Sequence, residues 1–303
     1  IMRFLRREYL VGFGPKCHVI CLDAKTGAFK WGYDLVGEFN AKVPSWYAGQ
    51  CPLIDDDRAI IAVGRGEVLM MAVDCETGEI AWKTPNPRKW EMTHSSIMPM
   101  QFNGRRMYLY CASGGLRRLG TEGGRVLWED RSWQVSFANV PSPVILDGGR
   151  IFLSGGYGAG SRMLRLKEKD GNISTETLFT LTQRVFGTEQ HTAIFYNGYI
   201  YGVTLGGQLA CLDLSGRPVW ASGRTKRFGS GRGPYLVANG LLYVMDDKKG
   251  VLTLIEATPL GYRELARAKI LPGPDVYGPM AIAGGRLICR NLNTLACLDV
   301  RRK

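Results

Sequence analysis

Short apolar runs, each about as long as a β-strand and separated by glycine-rich turns, recur along the chain. The longest of them, Val68 to Val73, is far shorter than the roughly 18 residues that a membrane-spanning helix needs. Many neighbouring runs are joined by Asn-Gly, Asp-Gly or Gly-Gly, which accept the positive φ of a tight turn and so predict β-hairpins. The pattern predicts an all-β protein and provides no transmembrane segment.

A second pattern, Asp-x-x-Thr-Gly-x-x-x-Trp, is superimposed on these hairpins. It occurs clearly at 23–31 and 74–82, and in weaker forms at 121–128 and 212–220. The turn glycines of six copies lie 45 to 51 residues apart. The repeat residues that we assign a structural role are Asp23, Gly27, Trp31, Asp74, Gly78, Trp82, Gly124, Trp128, Asp213, Gly216 and Trp220.

Two hairpins in every repeat of about 45 residues are typical of a propeller blade built from four antiparallel strands. We therefore predict one β-propeller domain over residues 1–303, with seven visible blades, or eight if an upstream blade is missing. The last unit ends before its turn glycine, so it lacks its outer strand. The predicted units are 1–45, 50–92, 96–138, 142–186, 191–230, 233–274 and 278–303.

The spacing of the repeat residues has a physical reason. The aspartate can accept hydrogen bonds within its own turn, and the glycine can take the left-handed conformation. The tryptophan opens the outer strand, where its ring can cover the neighbouring blade in a tryptophan docking motif. Thr175 and Leu265 stand in place of tryptophan in two copies, where we expect weaker packing between blades.

The charge and the cysteine and histidine content limit which partners and metal sites the sequence predicts. The net charge is +12, but the basic residues are dispersed and form no stripe with interleaved aromatic residues, which argues against nucleic acid. Eight cysteines are too few for a disulfide-built scaffold, and those that precede a repeat aspartate (Cys21, Cys211 and Cys297) are expected to be buried apolar filler. The three histidines are scattered, so no zinc site is expected.

The repeat motif resembles that of the quinoprotein-like, or PQQ-like repeat, propellers. This family includes the PQQ-dependent alcohol dehydrogenases and the outer-membrane assembly factor BamB. The resemblance covers the whole chain, and segments such as 42–46 and 256–265 read like those of its non-catalytic members. It implies a periplasmic or secreted protein, although any signal peptide would lie upstream of Ile1.

The dehydrogenases of that family resemble one another in holding PQQ over calcium, with an acidic base and, in several, a disulfide between adjacent cysteines. This chain has no adjacent cysteine pair, and its carboxylates concentrate in outer turns, at Asp23, Asp74 and Asp213, instead of in the stretches that precede each first strand. We therefore expect no cofactor and no catalytic residues. PQQ with calcium is expected only if the chain is a dehydrogenase after all.

A ligand of such a propeller is expected in the funnel formed by the loops that enter the first strand of each blade. The side chains at that position combine aromatic, imidazole, amide and guanidinium groups, which suit a polar ligand. Glu189 is the acid beside a histidine there, so a Glu/His general-base pair is an alternative. The predicted funnel residues are Trp46, Tyr47, His94, Asn139, Gln190, His191, Arg232 and Tyr277.

Three functions remain open on the sequence. The first is a non-catalytic module of the cell envelope that binds or scaffolds a protein or glycan partner. The second is a PQQ-dependent dehydrogenase of the quinoprotein alcohol dehydrogenase type, and the third is an outer-membrane protein assembly factor like BamB. The sequence leaves the oligomeric state and the identity of any partner undetermined.

Overall fold

The computed structural model describes residues 2–3 and 9–301 of the chain. Antiparallel strands make up nearly all of its regular structure, and one five-residue helix, α1 (Leu35–Phe39), accompanies them. The first three sheets comprise β1 (Met2–Arg3), β2 (Tyr9–Phe13), β3 (His18–Asp23) and β4 (Phe29–Asp34), then β5 (Leu53–Asp55), β6 (Arg58–Ala62), β7 (Val68–Asp74) and β8 (Ile80–Pro85), then β9 (Met98–Phe102), β10 (Arg105–Ala112), β11 (Gly115–Gly120) and β12 (Val126–Asp130).

The same hairpin succession continues to the end of the described chain. The later sheets comprise β13 (Val144–Leu146), β14 (Arg150–Gly155), β15 (Gly160–Lys169) and β16 (Asn172–Leu181), then β17 (Ile194–Tyr196), β18 (Tyr199–Val203), β19 (Leu209–Leu212) and β20 (Pro218–Ala221), then β21 (Tyr235–Ala238), β22 (Leu241–Met245), β23 (Val251–Glu256) and β24 (Glu264–Lys269), and finally β25 (Ala281–Ala283), β26 (Arg286–Arg290) and β27 (Leu295–Asp299).

Within the described residues, six sheets have four strands and the last has three, each in sequential antiparallel order. Every sheet falls inside one predicted repeat unit. The prediction of an all-β propeller with seven visible blades, the last without its outer strand, is therefore confirmed. The chain divides into two compact units, which are residues 1–151 with 164–176, and residues 152–163 with 177–303.

The repeat aspartate organises the turn between the third and fourth strands. In the first sheet, Asp23 Oδ1 accepts hydrogen bonds from the backbone N–H groups of Lys25 (3.0 Å) and Thr26 (2.8 Å) and from the Thr26 hydroxyl (2.9 Å). Gly27 follows in the left-handed region at φ +73. Asp74 and its turn repeat this arrangement, with Gly78 at φ +78. Each aspartate thus replaces the hydrogen bonds that a tight turn takes away from the backbone.

Tryptophans from the fourth strand cover the turn glycine of the next sheet. Trp31 is only 8% exposed, and its indole N–H donates to the carbonyl of Cys75 at 3.0 Å. A Cβ added to Gly78 would lie 2.6 Å from Cγ of Trp31. Trp82 is equally buried, and a Cβ on Gly124 would lie 2.3 Å from its ring. Glycine is therefore needed at these turns for the close approach of an indole as well as for its φ.

In three other copies of the repeat, the side chain at the tryptophan position is less deeply buried. Trp220 is half-buried and donates to the carbonyl of Thr258 at 2.8 Å. Trp128 is also half-buried, and Leu265 is 46% exposed. The burial of the outer-strand side chain thus varies from sheet to sheet.

The fourth sheet departs from the expected pattern. Its outer strands β15 and β16 have ten residues each, which is longer than the repeat implied. Phe179, four residues beyond the expected Thr175, consequently lies against the next turn, where a Cβ on Gly216 would be 2.8 Å from its ring. The assignment of the covering position to Thr175 was wrong because the longer hairpin displaces it along the strand.

The expectation that all three repeat cysteines are buried is only partly right. Cys21 and Cys211 are fully buried, whereas Cys297 is exposed. Cys297 lies on β27, the edge strand of the three-stranded sheet, which has no fourth strand beside it in the described part of the chain. The two buried cysteines pack against the sheet that follows their own, as the 3.6 Å contact between Cys21 Sγ and the Cys75 carbonyl oxygen illustrates.

Candidate functional site

The predicted funnel residues lie, as expected, on loops that precede the first strand of a sheet. The structure brings them into two groups, one in each compact unit. The first group contains Trp46, Tyr47, His94 and Asn139, and the second contains Gln190, His191, Arg232 and Tyr277.

Helix α1 sets the course of the first loop. Asp34 caps its N-terminus by accepting from the Val36 N–H at 3.1 Å, and Asn40 ends it in the left-handed conformation. The chain then crosses to β5 and places Trp46 and Tyr47, both at positive φ, in the turn that follows. Trp46 is 69% exposed and Tyr47 is also largely exposed, so two aromatic rings project beside the pocket described next.

The loops before β5, β9 and β13 and the end of β10 enclose a pocket of about 180 Å³, which we call the His94 pocket. Two backbone hydrogen bonds hold its floor, since the N–H groups of His94 and Ser95 both donate to the Asn139 carbonyl at 3.1 Å. The lining residues are Lys42, Pro44, Ser45, Glu91, Met92, Thr93, His94, Ala112, Ser113, Val135, Ser136, Phe137, Ala138 and Asn139.

Two acceptor atoms in this pocket are buried and have no partner in the described residues, namely His94 Nδ1 and Asn139 Oδ1. His94 Nε2 lies 2.9 Å from the Ser45 carbonyl oxygen, which can only accept, so Nε2 carries the proton and Nδ1 is left as an acceptor. Burial lowers the pKa of His94, which keeps the ring neutral. Asn139 is only 4% exposed, and its side chain also hydrogen-bonds the Cys111 sulfur.

Charged and aromatic groups surround the mouth of the pocket. Lys42 Nζ contacts both carboxylate oxygens of Glu91, at 2.9 and 3.0 Å, and both side chains are about half exposed. The Phe137 ring on the opposite loop is 75% exposed. The lining of the pocket therefore combines His94 and Asn139 with the Lys42–Glu91 ion pair and the Phe137 ring.

The second group, which we call the Glu189 cluster (Glu189, His191, Arg232 and Tyr235), is internally paired. Glu189, whose side chain is 4% exposed, accepts from Arg232 Nε at 2.6 Å. His191 Nε2 lies 3.0 Å from the Arg232 carbonyl, and the Tyr235 hydroxyl donates to the His191 carbonyl at 3.1 Å. Burial lowers the pKa of His191 to about 4. Glu189 is thus paired with an arginine, and the predicted Glu/His alternative does not describe this arrangement.

The two remaining predicted residues lie beside this cluster. Tyr277 donates to Asp275 at 2.9 Å and accepts from Lys248 at 3.4 Å, and it contributes to the raised pKa of Arg232, whose main cause is the hydrogen bond to Glu189. Gln190 is half-buried. Neither is part of the hydrogen-bonded core formed by Glu189 and Arg232.

The described residues contain no cluster of side chains that could hold a metal ion. Among residues 2–3 and 9–301, no three or more histidine, cysteine, aspartate or glutamate side chains converge on one point. All eight cysteines are free thiols. The described residues also contain no helix of the length and apolar character that crossing a bilayer requires.

The sequence analysis missed several pocket residues. Apart from Glu189 it placed the acidic residues in outer turns, but Glu91 also stands in a stretch before a first strand, where it forms an ion pair with Lys42. Phe137 and Ser45 were also missed, although each is within two residues of a predicted site residue. Reading three residues on either side of each predicted position would have found them.

Comparison with known proteins decides the family. The family model described as "Outer membrane protein assembly factor BamB" matches residues 8–178, which is more than half of the chain. The chain belongs to the BamB family. This confirms the resemblance to PQQ-like repeat propellers drawn from the repeat motif, and all residues of the His94 pocket fall within the matched range.

Two individual proteins named BamB are also similar to this BamB-family chain. The outer membrane protein assembly factor BamB of Moranella endobia (strain PCIT) is 25% identical over 248 residues, which are 78% of this chain and 59% of that protein. The chain thus spans less than two thirds of the length of that curated relative. The crystal structure of BamB from Moraxella catarrhalis matches with a TM-score of 0.65 at 16% identity, over 95% of this chain and 78% of that one.

A protein that did not arise in nature has a similar fold. The computationally designed Ika8 protein matches with a TM-score of 0.51 at 9% identity, over 97% of this chain and 94% of its own. At such low identity, the likeness to either solved structure supports the fold alone.

Proposed function

We propose that this protein is a non-catalytic binding module of the bacterial periplasm that contributes to the assembly of outer-membrane proteins. The observation that carries the proposal is the match of the BamB family model to residues 8–178. The partner is a protein, and the whole of residues 1–303 acts as one propeller domain. No cofactor is needed for this role.

The character of the predicted funnel loops in the first unit supports a protein partner. Aromatic side chains are enriched at protein interfaces relative to the rest of the surface. Trp46, Tyr47 and Phe137 are each more than half exposed and stand on the loops that form the His94 pocket. We therefore assign the partner-binding surface to these loops.

Site-specific photo-crosslinking in living cells tests the proposal. A photoreactive phenylalanine analogue replaces Tyr47 or Phe137, and irradiated cells are separated into periplasmic, membrane and cytoplasmic fractions. We expect crosslinked products in the periplasmic or membrane fraction that contain an outer-membrane β-barrel protein or a component of its assembly machinery.

Leu260 provides a matched control because it is 94% exposed and lies in the turn between β23 and β24, which is not a loop that enters the first strand of a sheet. The same analogue at this position should yield no such product. Equal products at positions 47, 137 and 260 would contradict the assigned surface, and a chain found only in the cytoplasm would contradict the assigned role.

A further inference from the structure

The loop before β21, the turn between β22 and β23 and the outer strand β24 enclose a cavity of about 200 Å³, which we call the Lys249 pocket. It lies within the second compact unit and shares no residue with the His94 pocket or the Glu189 cluster. We propose that the Lys249 pocket binds a phosphate monoester group. The inference goes beyond the proposed function because the ligand is a small anionic group and not a protein.

The side chains around this pocket carry more positive than negative charge. Four basic residues line it, of which Lys226 and Arg227 lie on the loop, Lys249 on the turn and Arg267 on the strand. Two carboxylates also line the pocket, which leaves a formal charge of +2. An anion that enters therefore gains favourable Coulomb energy.

Both carboxylates are already satisfied by groups of the protein. Glu264 accepts a hydrogen bond from the Tyr262 hydroxyl at 3.0 Å. Its two oxygens also form ion pairs, one with Lys226 Nζ at 3.3 Å and one with Arg267 Nε at 3.2 Å. Asp246 is only 6% exposed, and its Oδ1 accepts two backbone N–H groups of its own turn, both at 2.9 Å. Neither carboxylate needs a further cation, so positive charge is left for a ligand.

The cationic groups that a ligand would contact are open to solvent. Arg227 and Lys249 are exposed, and neither side chain forms an ion pair or a hydrogen bond within the described residues. Lys226 and Arg267 are 42% and 61% exposed, and each uses one donor on Glu264. Because an ammonium has three N–H donors and a guanidinium has five, both keep donors free. A ligand can therefore reach all four cations without displacing a contact of the protein.

Hydrogen bonds and strand pairing fix the frame that carries these cations. The Ser222 hydroxyl donates to the Lys226 carbonyl at 2.6 Å and anchors the loop. The turn is closed by the Gly250 N–H, which donates to a backbone carbonyl at 2.9 Å. Arg267 pairs with Thr253 of β23, which is only 5% exposed. The backbone positions of the cations are therefore set before a ligand arrives, which lowers the cost of binding.

The arrangement of the cations selects a phosphate monoester among anions. They stand on three different elements, so they approach the pocket from more than one side. A phosphate monoester carries a charge of about −1.5 to −2 at pH 7 and has three acceptor oxygens, which suits this arrangement. A carboxylate has one negative charge and two oxygens in one plane, and it leaves more of the cations without a partner.

NMR titration of the purified 303-residue chain with methyl phosphate tests the inference. The matched probes are dimethyl phosphate, in which a second ester removes one acceptor oxygen and one charge, and acetate. At pH 7 and constant ionic strength, we expect methyl phosphate to bind at least about tenfold more tightly than either, as the loss of one charged hydrogen bond implies. The amide signals of residues 225–228 and 246–249 should shift.

A pair of double variants locates the binding. Arg227→Gln combined with Lys249→Gln removes the two unpaired cations and should weaken the binding of methyl phosphate at least about tenfold. The matched control is Arg217→Gln combined with Arg263→Gln. It removes two exposed charges of the same unit that do not line the pocket, since these side chains are 82% and 70% exposed. The control should keep the affinity of the unaltered chain.

Sedimentation with lipid vesicles distinguishes the two sources of such a phosphate. Vesicles of phosphatidylcholine containing phosphatidic acid present a monoester, whereas those containing phosphatidylglycerol present a diester. Binding to the phosphatidic acid vesicles that the pocket variant loses supports the inference with a lipid headgroup as the ligand. Binding of methyl phosphate without binding to these vesicles supports it with a soluble ester.

Three results would overturn the inference: no binding of methyl phosphate, equal binding of methyl phosphate, dimethyl phosphate and acetate, or an equal change of affinity in the pocket variant and the control. Because the comparison of the three probes uses the unaltered chain, it remains decisive even where a variant fails to fold.

Discussion

The His94 pocket and the Glu189 cluster occupy equivalent places in the repeat, but they differ in whether their buried polar atoms have a partner within the protein. Each has a histidine whose Nε2 lies about 3 Å from a backbone carbonyl, that of Ser45 in one case and of Arg232 in the other. In the Glu189 cluster the buried carboxylate has a cation at 2.6 Å. In the His94 pocket two buried acceptors have no protein partner among the described residues.

The comparison separates a cluster whose buried polar groups pair with one another from a pocket in which two buried acceptors have no partner among the described residues. A propeller repeat supplies the same loop at each blade, so the loop position alone does not indicate function. What differs is whether the protein itself satisfies the buried polar atoms. Paired groups such as Glu189 and Arg232 stabilise the fold, whereas a buried acceptor without a partner costs stability.

The largest effect is expected from Arg232→Met. This change leaves the Glu189 carboxylate, which is 4% exposed, buried without its cation. We expect the free energy of unfolding to fall by about 3 kcal/mol, measured by urea denaturation at pH 7. Arg232→Lys, which keeps a positive charge, should lose clearly less. A loss below about 1 kcal/mol for the methionine variant would mean that the cluster does not depend on this pair.

Acidification should weaken the Glu189 cluster through His191. Burial lowers the pKa of His191 to about 4, below the value of about 6.5 expected in the unfolded chain. Its contribution to stability is therefore present above about pH 6.5 and is lost as the pH falls towards 4, because the unfolded chain takes up the proton first. The full loss is up to about 3 kcal/mol.

The measurement for this prediction is the free energy of unfolding between pH 7.5 and 4.5. His191→Gln should flatten the part of the pH dependence that this histidine causes. The control is His18→Gln, which removes a histidine that is exposed on β3. An identical slope in both variants would show that the acid sensitivity arises elsewhere.

Asn139→Leu should affect stability little, in contrast to the changes in the Glu189 cluster. The substitution removes an acceptor that has no partner in the described residues and one hydrogen bond to the Cys111 sulfur, and it introduces an apolar group of similar size, so we expect a change below about 1 kcal/mol. The matched control is Thr188→Val in the second unit, since the buried Thr188 hydroxyl donates to Ser154 at 2.9 Å. Thermal and urea denaturation should show the larger loss for the threonine variant. The reverse order would indicate that Asn139 is a structural residue.

The smallest effect is expected from Lys42→Met at the mouth of the His94 pocket. The Lys42–Glu91 pair is about half exposed on both sides, so its removal should cost no more than about 0.5 kcal/mol in urea denaturation. A loss of more than about 1 kcal/mol would show that the fold depends on this pair more than its exposure implies.

The fold was predictable from the sequence because its signals are local. The Asp-x-x-Thr-Gly turn depends on hydrogen bonds that span no more than a few residues, as Asp23 and Thr26 illustrate. Where a longer hairpin intervenes, local spacing fails, and the side chain that covers Gly216 is Phe179 instead of a residue at position 175.

The candidate site was predictable only in part. Its loop positions follow from the repeat, which is why His94 and Asn139 were found. Glu189 pairs with Arg232, which is more than 40 residues away in sequence, instead of with the nearby His191. The spacing of residues along the chain does not reveal such a long-range contact.

The sequence by itself determined the all-β architecture, the repeat of four-stranded sheets, the three-stranded last sheet of the described chain and the family. It could do so because periodic apolar runs and turn residues encode short-range hydrogen bonding. Only the tertiary structure decided which polar side chains are satisfied. Burial and partnership are properties of distant loops brought together, and in this chain they distinguish the paired Glu189 from the unpaired Asn139.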